Sequence, residues 1–63
     1  MDTVVDRIKK KMIVFLKKRP IMFSDLMDLF EKENYSDILL SWGELREEEL
    51  LKRTPNGLYF IDN

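Results

Sequence analysis

The stretch LLKRTPNGLYFI, residues 50–61, carries the sharpest structural signal in the sequence. Two runs rich in apolar residues flank the tetrapeptide TPNG, residues 54–57. Proline at the second position of a turn favours type I, and a following glycine adopts the left-handed conformation that closes it. The stretch therefore predicts a tight antiparallel hairpin that pairs residues 50–53 with residues 58–61. Because a two-stranded hairpin is not stable alone, we expect it to pack on helices.

A first helix is predicted over residues 3–18. Thr3 and Asp6 have the spacing of a capping box, with aspartate in place of the usual glutamate. Apolar side chains then recur at the helical period along one face, which predicts an amphipathic helix. Pro20 disfavours helical conformation at the residue before it, so the helix should end there.

Two further helices are predicted over residues 25–33 and 37–48. Ser24 and Ser36 precede them and are good N-cap residues, because a serine oxygen accepts from the free backbone N–H groups of the first turn. Asn34 is expected to end the earlier of the two helices in the left-handed conformation. The chain up to the hairpin is thus predicted to be helical apart from short connections.

The apolar faces of these helices define the predicted core. Its residues are Ile8, Met12, Phe15, Leu16, Leu26, Leu29, Phe30, Ile38, Trp42, Leu45 and Leu51. Gly43 lies inside the third helix, where glycine costs about 1 kcal/mol relative to alanine. We interpret it as a point of close approach by another helix or by a partner.

The composition excludes most enzyme classes. A chain of 63 residues allows one domain, and 44% hydrophobic with 37% charged residues is typical of a folded protein. Cysteine and histidine are absent, which removes disulfides, thiolate metal sites and the commonest general base. The sequence has two glycines and no glycine-rich phosphate loop. We therefore expect no catalytic residues, no metal, no cofactor and no small-molecule substrate.

The net charge of −1 conceals a strong asymmetry along the chain. Residues 1–20 contain seven lysines and arginines against two aspartates, whereas residues 21–49 contain nine acids against two basic residues. Such a chain can attract an anion or pair with a second copy of itself. The longest apolar run, residues 12–16, is too short for a membrane span or a signal core. A cytoplasmic location without membrane contact is expected.

The order helix, helix–turn–helix and hairpin resembles the winged helix of small prokaryotic regulators. The stretch ILLSWGELREEELLKR, residues 38–53, followed by the hairpin turn and its second strand, resembles the third helix and the wing of that family. Trp42 and Leu45 match core positions of the helix. Glu49 stands where the family usually has glycine. The resemblance extends over about 60 residues, nearly the whole chain.

This resemblance implies an α+β winged helix, with three helices and a C-terminal two-stranded antiparallel hairpin, as a single domain over residues 1–63. It also implies a DNA-binding module of the transcription-regulator type, with the third helix in the major groove and the wing along the backbone of double-stranded DNA. The residues expected to meet nucleic acid are Lys32, Ser36, Lys52, Arg53 and Asn56.

The outward face of the third helix favours a different partner. That face is predicted to hold Ser36, Leu40, Gly43, Glu44 and Glu47, none of which is basic. Two carboxylates would meet phosphates with the wrong sign, and an outward leucine suits contact with a protein.

The alternative is therefore a winged helix that binds a protein and no nucleic acid. The residues expected to form its surface are Val14, Leu40, Glu44 and Glu47. Val14 lies opposite the apolar stripe of the first helix, among basic residues. A basic first helix meeting the acidic third helix of a second copy would make the chain a homodimer.

Overall fold

Three helices and a three-stranded antiparallel sheet form the fold in the computed structural model, which describes residues 3–62. The elements in chain order are α1 (Val4–Lys18), β1 (Ile21–Met22), α2 (Phe23–Asp28), α3 (Tyr35–Glu47), β2 (Lys52–Arg53) and β3 (Leu58–Phe60). The α+β class is confirmed. Within residues 3–62, none of the helices has the length and apolar character needed to cross a membrane.

The first helix follows its sequence signals closely. Thr3 is the N-cap of α1, and its Oγ1 accepts from the backbone N–H of Asp6 at 3.1 Å. The Asp6 carboxylate in turn accepts from the backbone N–H of Thr3 at 3.5 Å, which completes the capping box. The helix ends with Arg19 as its extended C-cap, directly before Pro20. The predicted bounds and cap of α1 are confirmed.

The predicted bounds of α2 are wrong at both ends. Ser24 is not its N-cap, since the helix already begins at Phe23 behind Met22, which makes no side-chain capping bond. The helix ends at Asp28, and residues 29–33 form turns.

The predicted cap of α3 is also wrong. Asn34 has a φ of −66° and so does not end α2 in the left-handed conformation. It caps α3 instead, because its Oδ1 accepts from the backbone N–H of Ser36 at 2.9 Å. Ser36 itself lies inside the first turn of the helix rather than before it.

The hairpin is confirmed, with shorter strands than predicted. β2 pairs with β3 so that Lys52 lies opposite Phe60 and Arg53 opposite Tyr59. In the turn, the N–H of Gly57 donates to the carbonyl of Thr54 at 3.0 Å. Gly57 has a φ of 88°, the left-handed conformation that the sequence predicted.

The sheet has a third strand that the two-stranded prediction missed. β1 pairs antiparallel with β3, with Ile21 opposite Tyr59 and Met22 opposite Leu58. The strand order is therefore β1-β3-β2, with β3 in the centre. A strand of two residues is too short to show an alternating apolar pattern, so no periodic signal marked it.

Most of the predicted core is buried. The buried apolar residues are Ile8, Met12, Leu16, Ile21, Leu26, Phe30, Ile38, Trp42, Leu45 and Ile61. Phe15 and Leu51 are partly buried against them. Leu29 was predicted to be buried, but its exposed fraction is 52%, because α2 ends before it.

The close approach of α1 and α3 occurs at Ser41 rather than at Gly43. Ser41 is fully buried, and its Oγ lies 3.0 Å from the carbonyl oxygen of Val5 on α1. A Cβ atom built on Gly43 would meet nothing within 4 Å, so the interpretation of that glycine as a contact within the fold is wrong. Gly43 instead leaves open space beside α3.

Candidate functional site on the third helix and the hairpin

A chain of three aromatic rings fixes the hairpin to the helices. The centroids of Phe23 on α2 and Trp42 on α3 lie 5.0 Å apart, and those of Trp42 and Tyr59 on β3 lie 4.9 Å apart. Both pairs are edge-to-face, a favoured geometry for aromatic rings. The hairpin therefore has a defined position relative to α3, and side chains on the two elements can act as one surface.

The outer strand of the hairpin carries two exposed cations. The guanidinium carbon of Arg53 lies 5.9 Å from the ring centroid of Tyr59, its cross-strand neighbour. Nζ of Lys52 lies 3.7 Å from a carboxylate oxygen of Asp62, and both side chains are more than half exposed. Exposed ion pairs contribute about 0–1 kcal/mol, so a phosphate could replace this carboxylate at small cost. Charges on an edge strand also hinder its pairing with other chains.

The two polar residues predicted to meet DNA are held by local hydrogen bonds. Oδ1 of Asn56, in the hairpin turn, accepts from the hydroxyl of Thr54 at 2.7 Å. The hydroxyl of Ser36 donates to Oδ1 of Asn34 at 2.6 Å, within the cap of α3. Asn56 therefore joins the two cations on the hairpin, whereas Ser36 lies at the start of α3.

Lys32 lies in a different place from the other residues predicted to bind DNA. It follows α2 and lines an open groove between α1 and the segment from Asp28 to Glu33, which we call the α1–α2 groove. Lys11 and Phe15 form the α1 wall of this groove. The structure thus groups three of the five predicted residues on the hairpin and separates Lys32 from them.

The outward face of α3 is more apolar than the sequence predicted. Leu40 is 59% exposed, as predicted, and Leu39 beside it is 42% exposed. Gly43 opens space next to them, and Glu47 is exposed one turn further along. Leu39 was missed as a surface residue because it lies about 100° around the helix from Ile38, between the core face and the outward face.

Glu44, predicted on the outward face of α3, is 46% exposed and lies within reach of α1. Nζ of Lys9 on α1 lies 3.4 Å from a carboxylate oxygen of Glu44 and also pairs with Glu48. The hydrogen bond from Lys9 to Glu48 is the main cause of a raised pKa for this lysine, and Glu44 adds to it. The Lys9 ammonium thus partly compensates two of the acids of α3 within the chain.

Val14 belongs to another surface than Leu40. It is 51% exposed and borders a shallow depression together with Lys10, Lys11 and Phe15. Lys9, which faces α3, lies five residues away in sequence and about 140° around the helix. The predicted protein-interaction residues therefore fall on separate faces: Val14 on α1, and Leu40 with Glu47 on α3.

Metal-ligand clusters and similarity to known proteins were the two remaining indications of function. Within residues 3–62, histidine, cysteine, aspartate and glutamate side chains form no group of three or more that could hold a metal ion. In comparisons with known proteins, no family model matches the sequence, and no curated protein or solved structure is significantly similar to it. The fold and the surfaces described above are therefore the basis for assigning a function.

Proposed function

We propose that this chain is a winged-helix module that binds double-stranded DNA, of the kind found in small transcription regulators. The observation that carries this proposal is the placement of Lys52 and Arg53, both exposed on the outer strand of a hairpin that aromatic packing fixes to α3. Asn56 lies in the turn that follows them. In this arrangement the hairpin contacts the phosphate backbone while α3 lies against the major groove.

The contacts of α3 make its charge less unfavourable for DNA binding than the sequence predicted. Two acids, Glu44 and Glu47, were predicted on the outward face of α3. Lys9 of the same chain forms an ion pair with Glu44. Glu47 remains, and the exposed Arg46 is its neighbour. Lys9 compensates part of the charge of Glu44, and Arg46 part of the charge of Glu47, so this face repels phosphate less than two free carboxylates would. The module acts by binding, with no catalytic step.

The test is DNA binding by a variant that lacks both hairpin cations. Fluorescence anisotropy of a labelled mixed-sequence duplex is measured at several salt concentrations for the wild type and for Lys52→Ala/Arg53→Ala. The wild type should bind with an affinity that falls steeply with salt. The variant should bind more weakly to all sequences. Its plot of log affinity against log salt concentration should be shallower by about 0.9 for each phosphate that it no longer neutralises, or about 2 in all.

A matched control removes the same charge from a different place. Arg7→Ala/Lys17→Ala also loses two positive charges, both from α1, and it should retain most of the affinity and the slope of the wild type. Equal losses of DNA affinity in the two double variants would show that net charge alone accounts for the effect. No binding of the wild type at low salt would contradict the DNA proposal.

A second candidate function, binding of another protein through α3, is favoured by one specific observation. Leu39 and Leu40 form an exposed aliphatic pair beside the open space at Gly43. Such a surface fits an apolar side of a partner helix, laid across α3 where the glycine leaves room. The partner in this proposal is an apolar helix face of another protein rather than the basic α1 of a second copy, because the exposed leucine pair is apolar.

Leu40→Asp tests the second candidate. Because Leu40 is exposed, the variant should keep the far-UV circular dichroism and melting temperature of the wild type. A partner captured by chemical cross-linking to the wild type should be absent with Leu40→Asp and retained with Val14→Asp, which changes an equally exposed residue on α1. Retention by both variants would remove α3 from the contact.

A further inference from the structure

The α1–α2 groove has a cationic wall and an anionic wall. Its lining includes Lys11, Phe15, Asp28, Leu29, Glu31 and Lys32. The rings of Phe15 and Phe30 meet edge-to-face at its base, with centroids 5.9 Å apart. These two rings hold α1 against the segment after α2, so the relative position of the two walls is fixed by packing.

Three apolar residues, which we call the apolar strip, line this groove or border the depression next to it. Val14 and Leu29 have exposed fractions of 51% and 52%. Phe15 is partly buried between the two walls, and it borders both the groove and the depression next to Val14. Three apolar residues in and next to one groove are more than the scattered exposure of single residues that folded proteins normally show.

The charges carried by the two sides of the groove are opposite. On the α1 side, Lys11 and Lys18 are exposed, and on the other side Asp28 and Glu31 are exposed. Within the part of the chain that the structure describes, none of these four side chains forms an ion pair. Lys32 also lines the anionic wall, but Asp28 and Glu31 keep that wall net negative.

We propose that this surface is the interface of a two-fold symmetric homodimer. A two-fold axis through the apolar strip would place the cationic wall of one copy against the anionic wall of the other, twice, and would cover Val14 and Leu29 of both copies. A surface with an apolar centre between opposite charges is complementary to itself under that rotation. A partner that carries charges of one sign would be complementary to only one of the two walls.

The dimer does not depend on the DNA proposal. Its surface uses neither the hairpin cations nor the outward face of α3, so either proposal can fail alone. The domain has 4654 Å² of accessible surface. A standard interface would take about 800 Å² of each copy, and an interface on this groove is at the small end of that class. Association should therefore be weak, reversible and sensitive to salt.

The test reverses one charge on each wall. Sedimentation velocity is measured over roughly a hundred-fold range of concentration for the wild type, Lys11→Glu and Glu31→Lys. The wild type should shift from monomer to dimer, with a dissociation constant that rises with salt. Each single variant places like charges opposite one another twice per dimer, so its dissociation constant should rise by about ten-fold or more.

Mixing the two single variants gives the decisive result. In a pair of Lys11→Glu with Glu31→Lys, both contacts across the axis are again between opposite charges, so the mixture should form a heterodimer about as well as the wild type dimerises. The control Lys17→Glu makes the same charge change about 120° around α1 from Lys11 and should dimerise normally. Val14→Asp should also be monomeric.

Two outcomes would overturn the proposal. A wild type that stays monomeric over the whole concentration range has no such interface. Dimerisation that both single variants weaken but that their mixture fails to restore would show that the two walls do not face each other across a two-fold axis. Circular dichroism of each variant confirms that these exposed substitutions leave the fold intact.

Discussion

Glu49 has an unfavourable backbone conformation. It follows the end of α3 with a φ of 59°, and it is the one residue other than glycine within residues 3–62 that has a positive φ. The left-handed conformation brings Cβ close to the following carbonyl oxygen and costs about 1–2 kcal/mol for an ordinary residue. Its N–H donates to the carbonyl of Arg46 at 3.1 Å, a bond that closes the helix. The position is one where helices usually have glycine.

Glu49→Gly should therefore stabilise the domain. Glycine adopts this φ without strain, and the expected gain in the free energy of unfolding is about 1 kcal/mol, less than the full strain because glycine also makes the unfolded chain more flexible. Urea denaturation of the wild type and the variant measures it. The control Glu47→Gly removes a like charge from the last turn of α3 and should destabilise the domain by up to about 1 kcal/mol. Equal effects of the two substitutions would contradict the argument from φ.

At the scale of elements, Lys9 joins α1 to the end of α3. Its ammonium pairs with Glu44 and Glu48, and these contacts raise the pKa of Lys9 above the ordinary value of 10.5. A raised pKa means that the folded state holds the proton more tightly than the unfolded chain. The contribution to stability is therefore complete below pH 10.5 and is lost as the pH rises through the higher pKa of the folded state.

Lys9→Met should show this dependence directly. The variant should be less stable than the wild type at pH 7, and the difference should shrink as the pH rises above 10.5. Urea midpoints of both proteins, measured from pH 7 to strongly alkaline pH, give the comparison. Lys17→Met removes an exposed lysine that has no ion pair within residues 3–62 and should differ little from the wild type throughout. A constant difference for Lys9→Met would contradict the assignment.

The elements that sequence reasoning found are those with complete local signals. The capping box of α1 and the TPNG turn are each specified by a few adjacent residues, and the structure confirms both. The start of α2 was misplaced because distant contacts decide it. Met22 pairs with Leu58 on β3, and Phe23 packs on Trp42, so the helix begins before the serine that would otherwise cap it.

The candidate site was predictable to a similar degree. Exposure of Lys52, Arg53 and Leu40 followed from the strand and helix assignments, and the structure agrees. The ion pair of Glu44 did not follow, because helical periodicity cannot tell which side chain of another helix lies opposite. The partner is Lys9, 35 residues earlier, and only the packing of α1 on α3 brings the two together.

At the scale of the whole molecule, Trp42 connects the parts. It is 8% exposed, and its ring contacts both Phe23 and Tyr59. α2 and the hairpin therefore depend on one side chain of α3. A domain of this size has few other contacts that could replace it, since a small core supplies only about 3–5 kcal/mol.

Trp42→Ala should leave the chain unfolded. Truncating a buried tryptophan costs about 3–5 kcal/mol, which is as large as the stability expected for the domain. Far-UV circular dichroism as a function of temperature should show no cooperative transition for this variant. Trp42→Phe keeps an aromatic ring in the core and should still unfold cooperatively, at a lower temperature than the wild type. A cooperative transition in Trp42→Ala near that of the wild type would contradict the central role of this ring.

β3 lies in the centre of the sheet although it is the last strand in the sequence. β1 and β2 each pair with β3, and the N–H of Ile61 donates to the carbonyl of Leu16 at the end of α1, at 3.2 Å. Because synthesis runs from the N-terminus, both outer strands leave the ribosome before β3, their shared partner. The helices can begin to form on the emerging chain, but the sheet waits until residues 58–61 have left the exit tunnel. Translation sets the time at which this domain can close, and the final step brings every strand into place together.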